Sequence, residues 1–273
     1  MMCAWKQLLS VLPPRLRPEV DRLGKNALQE LRLRLGMPPE LVLSGESRWL
    51  GCCVSREDLN YCINAASRYS PWAAATTAQG YLTAPGGHRI GLCGEVVCKD
   101  VTGIREISSL CIRVARDFPG IAKRAADAPG SILILGAPGW GKTTLLRDLI
   151  RQIGEKQCVS VVDERGELFP EGLERGKKTD VLTGCPKSPG IDMVLRTMGP
   201  DCIAVDEITA EADARALLRA ANCGVRLLAT AHGTSAADLR RRSVYRPLAE
   251  SGVFQTLLIL RQDKSFRAER AAL

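Results

Sequence analysis

ILILGAPGWGKTTLLRDLI, residues 132–150, is the stretch on which the reading of this chain turns. Within it Gly136, Ala137, Pro138, Gly139, Trp140, Gly141, Lys142 and Thr143 satisfy the pattern G-x-x-x-x-G-K-[ST], directly after an apolar run and directly before a helical one. The spacing has a physical reason. Glycines let consecutive backbone N–H groups converge on a phosphate, and the helix that follows adds the positive end of its dipole. Lys142 brings a point charge to the β and γ oxygens, and the Thr143 hydroxyl is of the kind that ligates Mg²⁺. With Thr144, the run 136–144 is the expected contact surface for a nucleoside triphosphate, with ATP and Mg²⁺ as the expected ligands. Trp140 is unusual at the tip, and two readings stay open for it: packing on a neighbouring domain, or covering the loop.

A phosphate loop hydrolyses nothing unaided. Downstream, Cys202-Ile203-Ala204-Val205 is an apolar run ending in Asp206 and Glu207. Asp206 is expected to hold the metal with Thr143, and Glu207 to polarise the attacking water. Two further apolar runs end in polar groups, one at Asp163-Glu164 and one at Thr230 and His232. If all of these strands are parallel, their carboxyl ends line one crevice. His232 is then placed to sense the γ-phosphate through Thr230 or a water. Asp163-Glu164 either completes the metal and water network or pairs with Arg165.

The runs Ile132–Leu135, Cys158–Val162, Cys202–Val205 and Val225–Thr230 are nearly continuous in apolar residues, as strands buried on both faces require. Between and after them, helical patterns cover Thr143–Ile153, Ile191–Met198, Ala212–Asn222 and Ser235–Glu250. The alternation predicts an α/β domain of RecA-like P-loop type over 119–273, with a mainly parallel sheet and a terminal hairpin from Phe254–Arg261 and Ser265–Glu269.

Ahead of it, residues 1–118 read as a smaller α+β domain. Leu31, Leu33 and Leu35 alternate with Arg32 and Arg34, the period of a half-buried strand. Ser55 with Asp58 announces a helix through Arg68, stopped by Pro71. Short β-rich runs follow: Gly80–Thr83, a Pro85-Gly86-Gly87 turn, His88–Val97, a reversal at Lys99-Asp100, Val101 onward, and separately Leu110–Ala115. The opening stretch, MMCAWKQLLSVLPPRLRPE, lacks the apolar core of a signal peptide and is expected to pack as a terminal helix.

Composition narrows the rest. Hydrophobic residues make up 45% and charged residues 25%, an ordinary globular balance, and no run is long enough to span a bilayer. The eleven cysteines show no C-x-x-C pairing and read as reduced thiols of a cytosolic protein. Cys52, Cys53 and Cys62, with two histidines in the whole chain, make a poor zinc site. A net charge of +8 permits contact with nucleic acid, anionic lipid or an acidic partner without choosing among them.

The phosphate loop, Asp163-Glu164, LRTMGPDCIAVDEI (195–208) and LLATAHG (227–233) fall in the order of the Walker A, Asp box, Walker B and His box of the secretion-type AAA+ ATPases, the family that drives type II and type IV secretion and pili. The chain resembles that family. GYLTAPGGHRIGLCGEVV (80–97), ISSLCIRVAR (107–116) and DVLTGCPKSPGIDMVLRTMGPDCIAVDEI (180–208) look like its sporulation branch in endospore-forming bacteria. That resemblance implies a cytoplasmic ATPase of the mother cell, a homo-oligomer, specifically a hexamer, docked on the membrane-embedded sporulation channel that joins mother cell and forespore. It also implies an arginine from the N-terminal domain at the γ-phosphate, with Arg113 at the matching position, Arg116 as its substitute, and Arg196 available between subunits. The Asp and His boxes are shorter than the wider family's, and a tetracysteine module is not visible.

The competing reading is a nucleic-acid-dependent RecA-like ATPase, motivated by the net charge and by Arg240-Arg241-Arg242. Against it, only 4% of residues are aromatic, which leaves few platforms for base stacking.

Overall fold

A computed structural model describes residues 3–43, 45–67, 80–96, 104–170 and 173–271. The chain divides into two compact units, Met1–Asp117 with Pro170–Leu173, and Phe118–Phe169 with Glu174–Leu273.

The first unit is built on six antiparallel strands: β1 (Glu30–Arg34), β2 (Glu40–Val42), β3 (Ser47–Trp49), β4 (Tyr81–Ala84), β5 (His88–Val96) and β6 (Ile104–Arg113), in the order β3-β2-β1-β6-β5-β4. The alternation in β1 has its expected consequence. Leu31 and Leu33 are fully buried, while Arg32 and Arg34 on the other face pair with Glu30 and Glu40. Helices Trp5–Val11, Arg17–Leu23 and Arg56–Ser67 supply Leu8, Val11, Val20 and Leu59 to the same core, together with Ile90 and Ile112 of the sheet. The first of these is the packed terminal helix that the opening stretch predicts. Helix Arg56–Ser67 starts at a capping box, in which Asp58 N–H donates to Ser55 Oγ and Ser55 N–H donates to Asp58 Oδ2.

One reading is corrected here. The two separate runs expected after residue 100 form a single strand, β6, which pairs with β5 along its length through bulges near Gly94 and Val96 and with β1 over Ser109–Arg113. Isolated polar residues such as Ser108 and Ser109 break the apolar pattern without breaking the ladder. The Lys99-Asp100 reversal, Val101, Arg68 and the stop at Pro71 lie outside the described residues.

The second unit has seven strands: β7 (Ile132–Leu135), β8 (Val159–Asp163), β9 (Thr179–Thr183), β10 (Cys202–Val205), β11 (Arg226–Ala231), β12 (Thr256–Leu260) and β13 (Phe266–Arg270), ordered β13-β12-β7-β11-β10-β8-β9. Every pairing is parallel except the terminal β12–β13 hairpin. Both faces are covered. Leu133, Leu135, Ile203 and Val205 enter one apolar core, while Ile132, Ile134, Cys202 and Ala204 enter the core on the opposite face. Helices Lys142–Ile153, Lys187–Thr197 and Glu211–Asn222 provide the cover.

The span Ser235–Glu250 is two helices rather than one, Ala236–Arg241 and Arg246–Glu250, because Arg242 turns to extended backbone and Pro247 favours a fresh helix start. Among the described residues, no helix is long and apolar enough to cross a membrane.

Candidate active site

Register brings the chemistry to one edge. Leu135 pairs with Ala231, Ala229 with Val205, and Val205 with Val162, so the loops after β7, β11, β10 and β8 leave the sheet side by side. In the loop from Gly136 to Gly141, Gly139 and Gly141 hold φ of 77° and 97°, a region that side-chain-bearing residues rarely adopt. A Cβ on Gly136 would meet Leu260 Cβ at 3.1 Å. Helix Lys142–Ile153 begins immediately after, so its unpaired N-terminal amides face the loop.

A chain of hydrogen bonds joins the predicted site residues. Lys142 is buried, and its Nζ donates to Ala137 O at 3.2 Å and to His232 Nδ1 at 3.1 Å. An ammonium can only donate, so Nδ1 accepts and the imidazole carries its proton on Nε2, which donates to Glu207 Oε1 at 2.6 Å. Thr143 Oγ1 donates to Asp206 Oδ2 at 2.7 Å. Burial lowers the Lys142 pKa, an effect opposed by the charges of Glu207 and Asp206.

Thr230 braces this group from beneath. Fully buried at the end of β11, its hydroxyl donates to Asp206 Oδ1 and accepts the Glu207 N–H, both at 2.7 Å. Glu207 is held at a φ of 52°, a backbone state that costs about 1 kcal/mol or more in a non-glycine residue. The Tyr245 hydroxyl donates to Ile208 O at 3.1 Å and accepts His232 N–H at 3.4 Å, tying the two loops together.

Asp163 and Glu164 take separate roles. Asp163 is buried and accepts N–H bonds from Glu167, Leu168 and Phe169, so it shapes its own loop. Burial raises its pKa while those three amides pull it down. Glu164 pairs with Lys187, not with Arg165. Arg147 secures the same loop to the phosphate-loop helix by donating to Leu168 O and Glu167 O. Thr143, Asp206 and Glu207 share a small acidic cleft with Asp163, Glu164 and Lys187.

Other expected residues lie elsewhere. Arg113 ends β6 in the first unit, where its Nε stands 3.4 Å from Glu30 Oε1 and its side chain is 63% exposed. In the same unit, Arg116 donates to Leu28 O at 2.9 Å. Arg196 is exposed on helix Lys187–Thr197. Of the arginine run, Arg242 stands 3.3 Å from Asp238. Trp140 packs against the core that contains Leu145 and Leu146, alongside Phe266.

A family model described as sporulation stage III, protein AA matches residues 5–269. The chain belongs to that family. Stage III sporulation protein AA of Bacillus subtilis (strain 168) is 35% identical over 280 residues, covering 94% of this chain and 91% of that protein. Among solved structures, the Legionella pneumophila ATPase DotB superposes with a TM-score of 0.63 at 20% identity, over 93% of this chain and 78% of that one. The pilus retraction motor PilT, solved with bound ADP, gives a TM-score of 0.64 at 15% identity, over 94% and 78%. At such identities the likeness is one of fold: this member of the sporulation stage III protein AA family has the architecture of the secretion ATPases.

The sequence marks Thr230 as a strand end; the brace it forms appears only in the structure. Its signal was present, a lone hydroxyl in LLATA, a strand buried on both faces. Such a group has to find partners there. The Glu164–Lys187 pair left no comparable trace.

Proposed function

We propose that this chain binds and hydrolyses Mg·ATP as a secretion-type ATPase. The observation that carries the reading is the continuous contact of Lys142, His232 and Glu207, and of Thr143, Asp206 and Thr230, at one sheet edge beside a glycine-rich loop and a helix N-terminus.

The residues fit a divalent cation of magnesium type. Thr143 and Asp206 offer hard oxygen donors in an acidic cleft, and magnesium prefers few protein oxygens with several waters retained. They would hold it, and it would neutralise charge on the phosphates. The backbone amides of 136–144 bind the phosphates, and Lys142 exchanges Ala137 O and His232 Nδ1 for β and γ oxygens. Glu207 accepts a proton from the water attacking the γ-phosphorus, giving ADP and phosphate. His232, bonded to Glu207 and to Lys142, fixes the carboxylate's direction and reports which state Lys142 is in.

Beyond the single site, the family relationship supports a cytoplasmic mother-cell protein that assembles as a homo-oligomer, a hexamer, and energises a membrane-embedded sporulation channel. The same relationship supports Arg113 as the arginine that acts on the γ-phosphate. The reading is tested with the full chain by following phosphate release with ATP as sole substrate. Activity per chain is expected to rise with protein concentration, and Lys142→Ala to lose both binding and turnover. A fully active species at high dilution argues against the ring, and turnover unaffected by Lys142→Ala argues against the site.

A further inference from the structure

The chain is poor in aromatic residues, yet three of its rings surround one cavity. A space of about 770 Å³ opens beside the phosphate loop, on residues of the second unit alone. Phe118, Trp140 and Phe266, each half-buried, form its walls with Leu145 and Leu260. Two of these rings are among only four phenylalanines in the chain. Gly139, Gly141 and Thr144 line the same cavity, so it is continuous with the loop that takes the phosphates. It shares no lining residue with the acidic cleft of Asp206 and Glu207. A nucleotide with its γ-phosphate at that cleft and its α-phosphate at Thr144 therefore extends its nucleoside into the aromatic cavity.

The chemistry of the lining says what is read there. Its charged groups are all cationic, Lys123, Arg124 and Lys264, and it has no carboxylate or carboxamide side chain. Of its two hydroxyls, Thr144 lies at the phosphate end, and that of Ser265 already donates to Asp263 Oδ1 at 2.6 Å. Adenine presents an exocyclic amino donor and guanine an exocyclic carbonyl acceptor. A site that separates them strongly needs a fixed polar partner for one of these groups, since a pocket that only stacks gains little from either. Aromatic stacking rewards ring area and tolerates base identity.

We infer that this cavity seats the nucleoside by stacking on Trp140 and Phe266, and that the site consequently accepts ATP and GTP alike while binding pyrimidine nucleotides less well. The inference rests on the ATP reading above and deepens it. Trp140, unusual in the loop, is then a specificity residue: it replaces hydrogen-bond recognition of the base with a flat surface.

Calorimetric titration of the full chain with the magnesium complexes of ATP, GTP, UTP and inorganic tripolyphosphate tests this. Expected are dissociation constants for ATP and GTP within about ten-fold of each other, with UTP weaker and tripolyphosphate weaker still. Trp140→Ala is expected to weaken ATP and GTP by roughly ten-fold or more while leaving tripolyphosphate unchanged. Phe266→Ala, outside the loop, should act in the same direction. GTP binding a hundred-fold or more below ATP overturns the inference and leaves the ATP reading standing, as does tripolyphosphate binding as tightly as ATP. If none of the four binds, the phosphate site itself is refuted, and the cavity's role with it.

Discussion

In β1 of the first unit, residues take turns: Leu31 and Leu33 point into the core, and Arg32 and Arg34 point away and pair with glutamates. In β7 of the second unit all four residues are buried, Ile132 and Ile134 toward one core and Leu133 and Leu135 toward the other. A sheet with one open face can display charge anywhere along its strands. A sheet covered on both faces leaves only its strand ends for chemistry, and the second unit places Lys142, Asp206, Glu207 and His232 there. Thr230 is an instructive exception, a buried hydroxyl within a strand whose bonds reach both residues of the acidic pair.

Neighbouring alanine substitutions should show this contrast most strongly. Leu133→Ala and Ile134→Ala, adjacent in β7, should each cost about 2–5 kcal/mol of stability in denaturant titration. In β1, Leu33→Ala should cost a similar amount, whereas Arg32→Ala, the residue before it, should cost under about 1 kcal/mol. Equal losses at both positions of β1 would mean that its outer face is not open.

Thr230→Val tests the exception. It keeps the shape but removes the donor to Asp206 and the acceptor for Glu207 N–H, and a buried group left unpaired costs about 1–3 kcal/mol. Phosphate release should fall on the order of a hundred-fold, while ATP affinity changes much less. An affinity loss as large as the turnover loss would make Thr230 a general structural prop.

The smallest effect belongs to the first unit's buried histidine. His88 Nδ1 accepts Ala115 N–H at 3.1 Å, so its Nε2 donates to Ala4 O at 3.0 Å and the ring is neutral. Burial holds its pKa below the usual 6.5. The unfolded chain then takes up the proton more readily. Stability from this group is full above the unfolded value and is lost as pH falls below it, until the folded value is passed. His88→Gln should flatten the fall of melting temperature on acidification below about pH 6.5. An unchanged slope would assign that fall to other groups.

How much of this was legible in the chain follows from the same contrast. β7 and β10 coincide with the apolar runs at 132–135 and 202–205, because burial on both faces disfavours polar interruption. β2 and β3, three residues each, are too short to show a period, and β9 carries Thr179, Asp180 and Thr183 because it is the sheet's edge. The motif residues could be placed from local spacing and strand order. The aromatic cavity could not, since Phe118, Trp140 and Phe266 meet only once the terminal hairpin lies beside β7.

Glu207→Gln shows whether the acidic pair acts on a triphosphate held by the loop. Binding of Mg·ATP and steady phosphate release are measured on the wild type and the variant side by side. Expected is nearly unchanged ATP affinity with turnover reduced at least about a hundred-fold. Normal turnover in the variant, or a wild type that neither binds nor cleaves ATP, would contradict it.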